Sequence, residues 1–148
     1  VSEILTQLNG GKLLIVNSRR RNGLILYKQF HAEFAGPGAA VGGYFDKECC
    51  AVLPVGDLSL VSPKSPEERQ KAYLIRRQWI RLTQQLTDNP QPSQRAQLIL
   101  NQFENYFGAE AVAQLPDQAF ALMVGVLPRT VEIARQTYSE TAYPKRKS

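Results

Sequence analysis

The sequence is poor in the side chains that bind metals or staple secreted domains. Its only two cysteines, Cys49 and Cys50, are adjacent, and there is one histidine, His31. Neighbouring cysteines rarely bridge to each other because the ring is strained, and no spaced pair exists. Neither a disulfide framework nor a zinc site follows, so no metal and no cofactor are expected. No run approaches the roughly 18 apolar residues of a membrane span, and no secretory leader is visible. These absences predict a cytoplasmic protein with no membrane partner.

What is present suits a small folded chain. The 148 residues leave space for one domain or two very small ones, and too little for a barrel of eight strand–helix units. With 43% hydrophobic and 21% charged residues, the composition is neither disordered nor membranous. Eighteen basic against thirteen acidic residues give a net charge of +5. That excess permits an anionic partner without naming one. Most of it lies beyond Ser62, with twelve basic and eight acidic residues, against six and five before it.

Hydropathy and breakers divide the chain in two. Leu13 to Val16 is a strand candidate, followed by Arg19, Arg20 and Arg21 and the turn pair Asn22-Gly23. Leu24 to Phe34 alternates, with Leu26, Phe30 and Phe34 on one face. This predicts a hairpin with the three arginines near its tip, inside a small antiparallel sheet over residues 11–61. Ser65-Pro66-Glu67-Glu68 then carries a capping serine, a proline for the first helical position and a capping-box glutamate. Ala72, Ile75, Trp79, Leu82 and Leu86 follow as one apolar stripe to about Thr87. A helix of that length is suited to a twofold seam, so Ile75, Trp79, Leu82 and Leu86 are the expected interface of a homodimer. Arg76 and Arg77 are then expected at its wet edge. The rival reading packs the stripe on the chain's own sheet. Ser93 is the expected cap of the next helix, whose apolar face is Ala96, Ile99, Leu100, Phe103 and Phe107, with Gly108 ending it. Pro116 opens a helix to about Val124, Gly125 breaks it, and Pro128 opens the last one, to about Tyr138. A frayed tail with Lys145, Arg146 and Lys147 closes the chain. The expected class is α+β: a β-rich region over 1–62, a long linking helix over 63–90 and a helical domain over 91–148.

The segment from Asp117 to Gln136 carries the most information. Ala121 is small where two steeply crossing helices touch, Gly125 follows four residues later at the turn, and Val131 comes six after that, with Ala134 on the same face. This spacing resembles the helix-turn-helix unit of bacterial transcription regulators. The string Leu122-Met123-Val124-Gly125-Val126, then Pro128-Arg129-Thr130-Val131, is most similar to the cyclic-AMP receptor protein family. In that family a β sensory domain precedes a long dimerisation helix and a helical DNA-binding domain, and the order here is similar. The motif covers about 20 residues. The chain departs from the family elsewhere. Residues 11–61 are too few for its cyclic-nucleotide barrel, no glycine-rich phosphate cassette with a paired arginine is present, and almost nothing follows the second helix to form a wing. No cyclic nucleotide is therefore expected. Leu127 stands where a Ser or Thr would cap the reading helix.

The resemblance implies a regulator that binds double-stranded DNA with its second helix in the major groove. Helical geometry turns Arg129, Glu132, Ile133 and Gln136 outward, suited to guanine, cytosine, a thymine methyl and adenine respectively. Thr130 and Arg135 are expected on the backbone, and Arg19, Arg20 and Arg21 are candidate phosphate contacts. Two other readings stay open: an adaptor that offers Leu127, Ile133 and Tyr138 to a protein partner, or an RNA-binding protein using the arginine run and the basic long helix. No catalytic residues are expected. His31 faces outward beside Glu33, Asp46 and Glu48 lack a third ligand, and the loop Gly36-Pro37-Gly38 to Gly42-Gly43 lacks the lysine of a phosphate loop.

Overall fold

A computed structural model describes residues 2–142, with side chains through Gln136. The class is α+β, with β structure preceding helices. The chain forms two compact units, residues 1–83 and 84–148. The long helix α2 (Pro66–Thr87) therefore belongs to the β unit along nearly its whole length, and only its last turn falls in the second unit.

The first unit opens with a helix that the sequence reading missed, α1 (Ser2–Asn9), whose Leu8 is buried. Six strands follow: β1 (Leu13–Val16), β2 (Asn22–Tyr27), β3 (Ala32–Ala35), β4 (Ala40–Gly42), β5 (Ala51–Gly56) and β6 (Leu60–Val61). They make two three-stranded antiparallel sheets, ordered β4-β1-β6 and β3-β2-β5. The expected hairpin between β1 and β2 is absent, because the two strands lie in different sheets. The cause is Asn22, which is fully buried. Its carboxamide donates to the carbonyls of Asn17 and Arg20, each at 3.0 Å, and accepts from the Ser59 amide. Asn22 thus folds the connection around its own side chain and starts β2, instead of occupying a two-residue turn. The real hairpin is β2–β3, with Leu24 opposite Ala35 and Tyr27 opposite Ala32. Phe34 is buried but Phe30, in its loop, is 82% exposed. Pro54 is tolerated because β5 is an edge strand.

One core draws on both sheets. Leu14, Val16 and Val41 pack with Leu24, Leu26 and Val52, and Ile75 and Trp79 of α2 close against it. Trp79 meets Phe34 edge-on at 5.4 Å and lies directly over Gly36. A β-carbon at Gly36 would sit 2.3 Å from the indole, so glycine is what lets the helix approach the sheet. Trp79 and Ile75, expected in a seam between copies, pack on the chain's own core and are half-buried there. Of the other two seam candidates, Leu82 is exposed and Leu86 is buried. Ser65 caps α2 as expected, its Oγ accepting from the Glu68 amide at 3.1 Å.

The second unit contains α3 (Pro92–Phe107), α4 (Ala109–Ala113), α5 (Asp117–Val124) and α6 (Pro128–Ala142). Pro92, not Ser93, begins α3. Gln91 is its N-cap, and Asn89 Oδ1 accepts from the Gln91 amide at 2.9 Å. The apolar face of α3 packs against α5 and α6, with Phe103 edge-on to Phe120 at 5.1 Å. The helix α6 extends past Tyr138 to Ala142. The side chain of Tyr138 and the basic tail Lys145, Arg146 and Lys147 lie outside the described residues.

Candidate nucleic-acid interface

The two-helix unit is built by a turn of defined geometry. Gly125 adopts φ 69° and ψ 45°, the left-handed region that glycine enters without strain. Its amide and that of Val126 both donate to the Ala121 carbonyl, the latter at 3.0 Å, which ends α5 and reverses the chain. Ala121 and Val131, two of the three positions that carry the resemblance, are buried, as is Ala134, and the third, Gly125, is the exposed turn.

Arg95 of α3 clamps this turn from below. Its guanidinium donates to the carbonyls of Val124 (2.9 Å), Gly125 (3.1 Å) and Asn89 (2.7 Å). These include carbonyls that a helix C-terminus leaves without partners. Sequence reasoning missed Arg95, and a single cation on α3 gave no signal of its target.

The outward face of α6 is composed as expected in part. Arg129, Glu132, Ile133 and Gln136 are exposed, and Thr130 is half-buried. Arg129 and Glu132 form an exposed ion pair at 2.8 Å, one turn apart. Such pairs contribute at most about 1 kcal/mol, so a phosphate or guanine edge can compete for Arg129 and a base amine for Glu132. Leu127 is 71% exposed. Arg135 is a correction. Expected on the DNA backbone, it turns inward instead, donating to Asp117 Oδ1 at 2.6 Å, to the Val112 carbonyl at 3.0 Å and to the Leu115 carbonyl. It also rests over the Phe120 ring. Arg135 thus ties α6 to α5 and to the α4–α5 connection.

The arginine run is placed differently from the expectation. It lies on the connection between the two sheets, with Arg20 paired to Asp57 at 3.2 Å and Arg19 and Arg21 exposed.

The largest departure is Arg76. Expected at a wet edge, it is 0% exposed. Its two terminal nitrogens grip both oxygens of Asp46 at 2.9 Å, and they also reach Glu33 Oε1 at 2.7 Å and the Ala40 carbonyl at 3.1 Å. Lys28 adds a bond to Asp46 at 2.8 Å, and the Gly42 amide another at 2.6 Å. Burial would raise the Asp46 carboxyl, but the bonds and charge of Arg76, then Lys28 and the Gly42 amide, hold it below its ordinary range. Burial likewise opposes ionisation of Glu33, and the contacts of His31, Arg76 and Lys28 lower it on balance. The signal was in the spacing: Ala72, Arg76 and Trp79 are four and three residues apart, which puts the arginine on the buried stripe. Cys49 is buried and its thiol is pushed up, chiefly by burial and then by the charge of Asp46, which disfavours the reactive thiolate.

This network organises the loop after β4. With Asp46 anchored, the neighbouring Phe45 ring lies over the Arg76 guanidinium at 4.9 Å and meets Tyr73 at 5.5 Å. Tyr44 projects to solvent at 87% exposure, with the Lys47 ammonium 5.4 Å from its ring. Among the described residues, no helix is long and apolar enough to cross a membrane. Comparison of the chain with known protein families, curated proteins and solved structures found no match.

Proposed function

We propose that the chain is a non-enzymatic DNA-binding regulator that reads duplex DNA with the N-terminal half of α6. The observation that carries this reading is the α5–Gly125–α6 turn. It buries Val131 and Ala134 while leaving Arg129, Glu132, Ile133 and Gln136 on one exposed face. An α-helix presented in this way fits a major groove, where arginine can donate twice to guanine and glutamine can pair with adenine. Arg135 takes no part in readout and keeps the reading helix in place. Two copies on a duplex would read two half-sites about one helical turn apart.

Fluorescence polarisation on genomic duplex fragments, at stated salt, tests the reading. Arg129→Ala should weaken specific binding about 5- to 150-fold and relax preference at one base position. Unchanged affinity and unchanged preference would contradict it.

A second reading is favoured by the exposure of Leu127 and by the pairing of Arg129 with Glu132, which leaves that face apolar and locally neutral. An adaptor would use it to dock a protein. Leu127→Asp would then release a stoichiometric partner that Arg129→Ala retains.

A further inference from the structure

The first unit carries twelve basic and seven acidic residues, so the whole +5 of the chain belongs to it. Three surface grooves run together there. The first lies at the start of α2, between Lys64 and Arg69. It shares Gln70 and Tyr73 with the second, which Arg77 borders. The second shares Tyr44 and Phe45 with the third, which continues past Lys47 and Lys28 to Phe30. The result is one track lined by cations along its length and by four aromatic rings.

The rings are not core side chains that failed to bury. Phe45 is fixed from beneath by the buried Arg76 guanidinium, and Tyr44 and Phe30 project into water at 87% and 82% exposure. Aromatic rings grouped on one surface, unlike a single exposed ring, mark a place where a partner can cover them. Of the carboxylates lining the track, Glu33 shares Arg76 with the buried Asp46, whose second cation is Lys28, so these charges cancel and Glu48 is left against Lys47. A second copy of the chain would bring like charge against like charge. An anionic strand with unpaired bases matches both features, because phosphates follow the cations and base faces stack on the rings. A duplex hides those base faces in its own stack.

We propose that this track binds single-stranded nucleic acid, independently of the reading helix. The test is polarisation of labelled 15-nucleotide oligo-dT and oligo-U on the full chain, across a salt series. Tyr44→Ala should weaken binding about 5- to 150-fold, as expected for one lost stacking contact, and Tyr44→Phe should restore it. Arg77→Ala should lower the slope of log affinity against log salt by about 0.7. Tyr44 is a surface residue, so these variants should fold, and an unchanged circular dichroism melt checks that they do. Arg129→Ala should leave oligonucleotide binding as it was, which separates this proposal from duplex readout by α6. The proposal is overturned if Tyr44→Ala binds as tightly as the parent. It is also overturned if labelled poly-aspartate binds as tightly as the oligonucleotide and loses the same factor on Tyr44→Ala, which would assign the track to acidic polypeptides.

Discussion

The two units handle arginine in the same way inside and in opposite ways outside. Each buries or half-buries arginine as a multi-bonded brace: Arg76 on Asp46 and Glu33 in the first unit, Arg95 and Arg135 on backbone carbonyls in the second. Outside, the first unit keeps a surplus of cations, while residues 84–148 hold six basic and six acidic side chains. The net charge of the chain is therefore no guide to the reading helix. The basic surplus that the sequence shows beyond Ser62 lies on α2 and on Lys64 just before it, in the first unit. The two proposed contacts accordingly differ in kind: base-edge complementarity from α6, and a charged, ring-lined surface from the first unit.

The sharpest way to break the comparison is to remove a brace. Arg76→Ala leaves Asp46 buried without its main counter-charge and should destabilise the first unit by about 3–5 kcal/mol, read by urea denaturation with Trp79 fluorescence. The second unit should keep its own transition. Arg135→Ala removes charged hydrogen bonds from a half-buried site and should cost about 2–3 kcal/mol, confined to the second unit. Hydrogen exchange of α5 and α6 would locate the loss.

Acid separates the units by the same logic. Asp46 and Glu33 ionise below their ordinary values of 3.8 and 4.5. Their stabilisation is complete above that range and is lost as pH falls through the lowered values. The first unit should therefore loosen as pH drops below about 4, and Asp46→Asn should flatten that dependence. The smallest effect is expected at the turn. A β-carbon on Gly125 meets nothing within 4 Å, so Gly125→Ala adds only left-handed backbone strain of about 1 kcal/mol. A larger loss would mean that the turn is held by more than Arg95 and its own backbone.

Local signals were legible in the sequence, and long-range partners were not. The Ser65 cap, the span of α2, the glycine stops at Gly108 and Gly125 and the buried positions of the two-helix unit are set by neighbours within a few residues. Strand pairing is set by contacts far along the chain. Adjacency and Asn22-Gly23 argued for a hairpin, but the three bonds of the Asn22 side chain, one of them 37 residues away at Ser59, decide otherwise. The same holds for the ionic network, where Arg76 meets Asp46 from 30 residues away. Its position on the apolar stripe announced burial, yet nothing local named the carboxylates that make burial possible. Among the site candidates, the exposed face of α6 followed from helical period alone. Arg135 was misassigned because its partners come from α4 and α5.

The division of labour between the units is tested most directly by one duplex titration of three proteins at a single salt concentration: the parent chain, Arg129→Ala and Arg77→Ala. Readout by α6 predicts a loss of about 5- to 150-fold for Arg129→Ala and parental affinity for Arg77→Ala. Loss at Arg77 with none at Arg129 would contradict it.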